Sequence, residues 1–233
     1  MIKALNLTKT YGRTTVLNIS SLEIGAGESF GLVGNNGAGK TTFFSLITDL
    51  IKATSGEVRS KDKNVYLSNH WKEYTGSFLD ESFLIDFLSP EEYFEFIGSL
   101  HSLSKEEVNR KLEKYADFFN GEIMGKKKFI RDLSKGNQKK VGIIGALFFE
   151  PELLILDEPF PHLDPTSVIR LKKIIKETSS KGTAVLISSH DLNHVTEVCE
   201  RIAVLEKGII LHDIKTSSNT LNELEAYFTP EEE

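Results

Sequence analysis

The chain has 233 residues, of which 39% are hydrophobic and 27% are charged, and its formal net charge is −6. This length predicts one large α/β domain with a substantial core, and the acidic balance argues against a general nucleic-acid binder. No apolar run approaches the roughly 18–20 residues of a membrane span, no signal peptide is expected, and the single cysteine, Cys199, excludes an internal disulfide.

The N-terminal part of the chain predicts a small sheet followed by a buried strand. Up to about residue 30, alternating apolar runs are separated by turn residues, which is typical of short antiparallel strands. Ser29–Val33 is a continuous apolar strand, and residues 41–50 have apolar side chains at helical spacing. The sequence therefore predicts a strand–loop–helix unit around residues 34–42.

The loop of this unit has the complete G-x-x-x-x-G-K-[ST] pattern of a phosphate-binding loop. Its glycines let successive backbone N–H groups point at phosphate oxygens, Lys40 adds a positive charge, and the Thr41 hydroxyl can ligate Mg²⁺. The following helix would present its N-terminus to the phosphates, where free N–H groups and the helix dipole favour anions. The predicted nucleotide-binding residues of this loop are Gly34, Asn35, Asn36, Gly37, Ala38, Gly39, Lys40, Thr41 and Thr42.

The middle of the chain changes to a helical pattern. One helix is predicted to begin at Pro90, and a second follows Ser104, which forms a capping box with Glu107 and leads into apolar positions as far as Phe119. A further helix is predicted after Ser134, a candidate N-cap whose helix start offers a second anion-binding surface.

Strands return in the C-terminal half as three continuous apolar runs, at residues 153–156, 184–188 and 202–205. Such runs predict a parallel sheet that is covered on both faces, with helices at about 166–179 and 191–199 between the strands.

Polar side chains follow two of these strands directly. Asp157 and Glu158 come after the first, and His190 comes after the second. The carboxyl ends of parallel strands are where α/β sheets bind ligands. Beside a phosphate-binding loop, Asp157 is expected to hold Mg²⁺ with Thr41, and Glu158 to orient or deprotonate the attacking water. His190 is expected near the γ-phosphate.

These elements, in this order, resemble the nucleotide-binding subunit of an ATP-binding-cassette (ABC) transporter, from Tyr11 to about Leu211. The resemblance implies an α/β P-loop NTPase cassette with a mainly parallel core sheet, an N-terminal antiparallel β subdomain and an inserted α-helical subdomain at about 80–140. It implies an ATPase domain over residues 1–215, then a C-terminal helix and acidic tail over 216–233. It also implies ATP and Mg²⁺ as ligands.

The resemblance assigns a role to each matching residue. Residues 34–42 match the Walker A loop, residues 153–157 match the Walker B strand, Glu158 matches the catalytic carboxylate, and His190 matches the switch histidine. Tyr11 matches the aromatic residue that stacks on adenine. The remaining assignments are the signature motif at Ser134, Lys135, Gly136 and Asn137, the D-loop at Asp164, and Mg²⁺ ligands at Thr41, Asp157 and Asp80.

Three departures from the family pattern stand out. Lys135 and Asn137 replace the usual Gly and Gln of the signature, a form that resembles bacterial exporter-type cassettes. Asp80 stands where a glutamine is usual, so the usual role of that loop is in doubt and Asp80 is only a candidate for Mg²⁺. His162 replaces a small residue of the D-loop.

The resemblance also implies partners and a location. A γ-phosphate at residues 34–42 would be completed by Ser134 and Gly136 of a second cassette, identical or different. The helical insertion, with Phe83, Phe87 and Tyr93 as expected exposed aromatics, would contact a separate membrane permease or would pack within the subdomain. The protein would lie in the cytoplasm on the inner face of the cell membrane, and no nucleic-acid partner is expected.

Two other functions remain open. One is a soluble cassette ATPase that acts on ribosomes or DNA, although the single cassette and acidic charge disfavour it. The other is a regulatory cassette that hydrolyses ATP weakly, which Asp80 and Lys135 suggest and intact Glu158 and His190 oppose. A simple P-loop kinase would not explain residues 133–137 or His190.

Overall fold

The computed structural model describes residues 1–228, and this part of the chain folds into two β-sheets with α-helices packed around them. The strands are β1 (Ile2–Tyr11), β2 (Thr14–Ile24), β3 (Ser29–Val33), β4 (Ser55–Ser60), β5 (Lys63–Asn64), β6 (Thr75–Phe78), β7 (Leu153–Leu156), β8 (Ala184–Ser189), β9 (Arg201–Glu206) and β10 (Ile209–Lys215). The α-helices are α1 (Lys40–Ile47), α2 (Pro90–Ser99), α3 (Lys105–Glu113), α4 (Ala116–Phe119), α5 (Lys135–Leu147), α6 (Pro165–Ser180), α7 (Leu192–Val198) and α8 (Thr220–Phe228). The predicted acidic tail, residues 229–233, lies outside the described residues.

The larger sheet has six strands in the order β10-β9-β3-β8-β7-β6. Five of them are parallel, and only the edge strand β10 runs antiparallel, to β9. Alternate residues of β7 enter two different cores: Leu153 and Ile155 pack on one face, and Leu154 and Leu156 on the other. The prediction of a parallel sheet covered on both faces is therefore confirmed.

The smaller sheet is antiparallel, in the order β2-β1-β4-β5. The expectation of several short strands within the first 30 residues is wrong, because β1 and β2 are two long strands. Ser21 pairs with Leu5 inside β2, and Leu22 continues the strand opposite Ala4. Ser20 and Ser21 are both exposed, and the buried positions change from Leu17 and Ile19 to Leu22 and Ile24 across them, so the alternation is interrupted although the strand continues.

The helical region inserts between β6 and α5. The predicted capping box of Ser104 with Glu107 begins α3, and a second, unpredicted box of Ser89 with Glu92 begins α2. The second helix does not continue to Phe119 as predicted. It ends at Glu113, and the short helix α4 follows and directs two phenylalanines into the core.

The aromatic side chains of this region are only partly as expected. Phe83 and Phe87 are exposed, whereas Tyr93 is partly buried because its ring packs over Gly145 of α5. Burial raises the pKa of the Tyr93 hydroxyl. Within residues 1–228, no helix combines the length and apolar character that a bilayer crossing requires.

Candidate nucleotide site

Three neighbouring strands of the larger sheet deliver the predicted site to one edge. Residues 34–42 follow β3, Asp157 and Glu158 follow β7, and His190 follows β8, which lies between these two strands. Because the three strands are parallel, their carboxyl ends meet. Sheet topology therefore brings together residues that lie more than 100 positions apart in the sequence.

The phosphate-binding loop is closely packed against β9 and β2. A Cβ at Gly34 would collide with the Leu205 carbonyl oxygen, and Gly39 adopts φ +112°, a conformation that favours glycine. Gly39 is the N-cap of α1, so the loop leads directly into the helix. Residues 35–37 are exposed at its tip, and their backbone is accessible to a ligand.

Lys40 is buried and points back into the loop. Its ammonium donates to the Gly34 carbonyl oxygen at 2.7 Å and lies 3.2 Å from Glu158 Oε1. The Thr41 hydroxyl donates to Asp157 Oδ2 at 2.5 Å, so the two predicted magnesium ligands are adjacent. Hydroxyl and carboxylate oxygens are the hard donors that Mg²⁺ prefers, and two protein donors suit an ion that also binds phosphates and water. The donor set therefore fits Mg²⁺.

Asp157 is buried below the loop. Burial raises the pKa of this carboxyl group, and hydrogen bonds from Ser188 and Thr41 oppose that shift. The Ser188 hydroxyl donates to Asp157 Oδ1, and Ser188 Oγ in turn accepts a hydrogen bond from the backbone N–H of Glu158 at 2.9 Å. One serine of β8 therefore holds both residues that follow β7.

Glu158 stands at the centre of the site. Besides its ion pair with Lys40, its Oε2 lies 2.9 Å from His190 Nδ1, so the three predicted residues form a continuous chain. Its backbone adopts φ +44°, a left-handed conformation that costs a non-glycine residue on the order of 1–3 kcal/mol. The surrounding hydrogen bonds therefore have to maintain the conformation of Glu158.

The predicted signature residues form a second surface at the start of α5. The Ser134 hydroxyl caps the helix by accepting the Asn137 N–H at 3.3 Å, which confirms the predicted N-cap. A Cβ at Gly136 would collide with the carbonyl oxygen of His162. The backbone of His162 has a positive φ, like that of Glu158. These residues line a cleft of about 320 Å³ together with Lys140 and Asp164.

Asp164 begins α6 beside this cleft. Its carboxylate accepts the Ser167 N–H at 3.0 Å and the Ser167 hydroxyl, and it lies 3.6 Å from Lys140 Nζ. The hydrogen bonds from Ser167, with a smaller contribution from Lys140, lower the pKa of Asp164 to about 2. Among the described residues, no hydrogen bond or ion pair joins residues 134–137 to residues 34–42 of the same chain.

Two predicted residues do not join the central cluster. Tyr11 ends β1 with 52% of its surface exposed and with Lys9 Nζ 4.8 Å from its ring centroid. Asp80 caps a short 3₁₀ helix (Glu81–Phe83) by accepting the Ser82 N–H at 2.8 Å. The Ser82 hydroxyl, and after it the Ser82 N–H, lower the pKa of Asp80, whereas Thr41 and Asp157 do not contribute.

Two residues of the site were missed by sequence reasoning. Ser188 was assigned only to a strand, and Lys139 only to a helix, but both bind the backbone of Glu158. A hydroxyl at the carboxyl end of a buried strand, one strand away from Asp157, is the signal that could have identified Ser188. For Lys139 the signal is a lysine that falls on the buried face of a helix, where an unpaired charge is costly.

Comparison with known proteins gives a consistent result. The family model for ABC transporters matches residues 17–161. The ABC transporter ATP-binding protein YhaQ of Bacillus subtilis is 36% identical over 89% of this chain and 69% of its own length. The lantibiotic transport ATP-binding protein SrtF of Streptococcus pyogenes is 32% identical over 96% of this chain and 95% of its own. Among solved structures, the dimeric bacterial ABC transporter cassette MJ0796 superposes with a TM-score of 0.83 at 26% identity, over 94% of this chain and 100% of that chain.

Proposed function

Because the chain belongs to the ABC transporter family of ATPases, we propose that it is the ATP-hydrolysing subunit that powers a separate membrane permease through ATP-driven dimerisation. The observation that carries this proposal is the cluster of Lys40, Thr41, Asp157, Glu158 and His190 at one edge of the sheet. We assign the ATPase domain to residues 1–215, with the helical subdomain at about 80–140 and a C-terminal helix beyond.

In the proposed reaction, water attacks the γ-phosphorus of ATP while the bond to the β–γ bridging oxygen breaks, giving ADP and phosphate. Glu158 orients this water and accepts its proton, and His190 holds the carboxylate and contacts the γ-phosphate. Lys40 turns from Glu158 and the Gly34 carbonyl toward the β- and γ-phosphates. Thr41 and Asp157 would hold Mg²⁺, which would neutralise negative charge on the phosphate oxygens.

The separation of the two anion-binding surfaces supports a dimer as the active unit. The loop at 34–42 and the cleft at Ser134 and Gly136 make no polar contact with each other within one chain. A second cassette, facing the first in the opposite direction, would place its Ser134 and Gly136 over the γ-phosphate. ATP would then hold two acidic subunits together, and hydrolysis would release them.

A large groove supports the proposed permease contact. It has a volume of about 630 Å³ and lies between β6, α5 and the helical region. Its aromatic lining includes Phe83, Tyr93 and Phe149, and the Phe149 ring stacks on His101 with centroids 3.6 Å apart. Charged side chains such as Lys72 and Glu152 also line the groove, and Phe83 is exposed beside it. A groove with an exposed aromatic ring and charged groups around it suits the binding of a protein segment.

We propose export as the direction of transport and the inner face of the cell membrane as the location. The Leu-Ser-Lys-Gly form of residues 133–136 supports an exporter-type cassette, and the relative SrtF bears the name of a lantibiotic transport protein. Whether the second cassette is identical to this chain is left to experiment.

Affinity capture tests the permease assignment. Tagged Glu158→Gln protein, incubated with Mg²⁺ and ATP, would be used to capture partners from native membranes solubilised in detergent. Lys40→Ala is the matched control, because it lacks the phosphate-binding ammonium and should not form the ATP-bound dimer. We expect Glu158→Gln to capture a multi-span membrane protein, and we expect less of that protein in the sample captured by Lys40→Ala. Ribosomal or DNA-bound proteins without a membrane protein would instead support a soluble ATPase.

A further inference from the structure

Lys139 joins three segments of the protein at one buried ammonium group. Its side chain, only 7% exposed, leaves α5 five residues after Ser134. Nζ donates to the backbone carbonyl oxygen of Glu158 at 2.7 Å and lies 3.6 Å from Glu81 Oε1. The signature helix, the catalytic loop after β7 and the 3₁₀ helix after β6 therefore share one contact.

The contact with Glu158 bears on the conformation of its backbone. Glu158 has a positive φ, its N–H donates to Ser188, and its carbonyl accepts from Lys139. These bonds fix the peptide groups on both sides of its Cα, so the direction of its side chain depends on both. Removal of either bond would allow the strained backbone to relax and would move the carboxylate away from the γ-phosphate.

The contact with Glu81 explains why a charged group is present. Oε1 of Glu81 is buried and, among the described residues, accepts no hydrogen bond, so the Lys139 ammonium is its compensating charge. Glu81 begins the 3₁₀ helix that includes Phe83, which lines the large groove. A displacement of this segment would therefore reach Glu158 through Lys139.

We propose that Lys139 is a positioning residue that holds the catalytic carboxylate and couples its placement to Glu81. This inference rests on the proposed role of Glu158 as the residue that activates water. A role in packing alone does not require an ammonium at this site, because methionine fills a similar volume without a buried charge.

The first test compares steady-state ATPase kinetics of Lys139→Met with wild type, with Mg²⁺-ATP as substrate. We expect kcat to fall about 10- to 100-fold, because a shift of about 1 Å at the reacting groups is enough for such a loss. KM and the Kd of a fluorescent ATP analogue should change less than about threefold, since Lys139 makes no contact with residues 34–42. Lys172→Met is the control, because Lys172 is also largely buried, at 14% exposed, and it pairs with Glu197 rather than with Glu158 or Glu81. Its kcat should stay near the wild-type value.

The second test uses variants that keep the volume and hydrogen-bonding capacity of the side chains. Lys139→Gln leaves Glu81 without a compensating charge, so Glu81→Gln added to it should restore part of kcat. If Lys139→Met does not fold, this pair alone decides the question. The proposal would be overturned if folded Lys139→Met or Lys139→Gln had the wild-type kcat. It would also be overturned if the double variant showed no rescue, or if kcat and ATP affinity fell by the same factor. If Glu158→Gln hydrolyses ATP normally, the proposed role of Glu158 fails instead, whatever the Lys139 variants do.

Discussion

At the scale of single residues, Ser188 holds two neighbouring carboxylate residues with one hydroxyl group. It donates to Asp157 and accepts the backbone N–H of Glu158. Ser188 is also completely buried, so water cannot replace either bond when the hydroxyl is removed. The hydroxyl therefore connects the predicted magnesium ligand to the predicted catalytic residue.

We predict that Ser188→Ala lowers kcat about 10-fold or more and destabilises the protein by about 1–3 kcal/mol, because the Asp157 carboxylate and the Glu158 N–H both lose a partner. Steady-state ATPase assays and urea denaturation measure the two effects. Ser189→Ala is the control, since this neighbouring buried hydroxyl accepts only from the Asp191 N–H. Equal kcat values for the two variants would contradict the role given to Ser188.

Gly136 is the second residue with a specific requirement. A Cβ there would collide with the His162 carbonyl oxygen, which belongs to rigid backbone. We predict that Gly136→Ala displaces the segment at His162–Asp164 and abolishes ATP-dependent dimerisation, while nucleotide binding to the monomer remains. Size-exclusion chromatography with light scattering, in the Glu158→Gln background, measures this. Lys128→Ala, which removes an exposed lysine outside the signature motif, should retain the dimer.

At the scale of elements, helix α6 depends on its N-cap. Replacement of Asp164 by Ala should cost about 1 kcal/mol of stability at neutral pH. The folded pKa of about 2 lies below the ordinary value of 3.8, so this ionised cap contributes fully above about pH 4. Its contribution is lost as pH falls through the folded pKa. Urea denaturation from pH 2 to 7 measures the free energy of unfolding of wild type and Asp164→Ala, and the difference between them should become smaller at the acidic end. Asp164→Asn can cap the helix without ionising, so it should lose less stability at neutral pH than Asp164→Ala.

The elements that the sequence predicted well share a local signal. β3, β7, β8 and β9 are continuous apolar runs, and the caps at Ser104 and Ser134 act on residues within one helical turn. The elements that the sequence did not predict depend on tertiary contacts. β6 reads Thr-Gly-Ser-Phe, without an apolar run, and it exists because β7 pairs with it. The break between α3 and α4 also has no proline or glycine to mark it.

The candidate site divides in the same way. Residues 34–42, Asp157 and His190 could be predicted because each follows a recognisable strand or motif. Lys139 and Ser188 carry only indirect signals, because their role is a hydrogen bond to the backbone of a residue 19 or 30 positions away. The positive φ of Glu158 likewise has no signal in the sequence.

At the scale of the whole molecule, the two proposed anion-binding surfaces are separate. One lies at residues 34–42, and the other at Ser134 and Gly136, so a single chain offers only half of the proposed catalytic site. The large groove lies against α5, the helix that begins with the second surface. Occupation of the groove and closure of the dimer would therefore act on the same helix.

The most direct measurement compares purified Glu158→Gln with wild type in the presence of Mg²⁺ and ATP. It records the rate of ATP hydrolysis and the oligomeric state of each protein. We predict that turnover falls at least about 100-fold while ATP binding remains, because the water loses its proton acceptor but residues 34–42 stay intact. We also predict that light scattering shows ATP converting this variant from a monomer to a stable dimer. Normal hydrolysis by Glu158→Gln, or a monomer at saturating ATP, would contradict the proposed function.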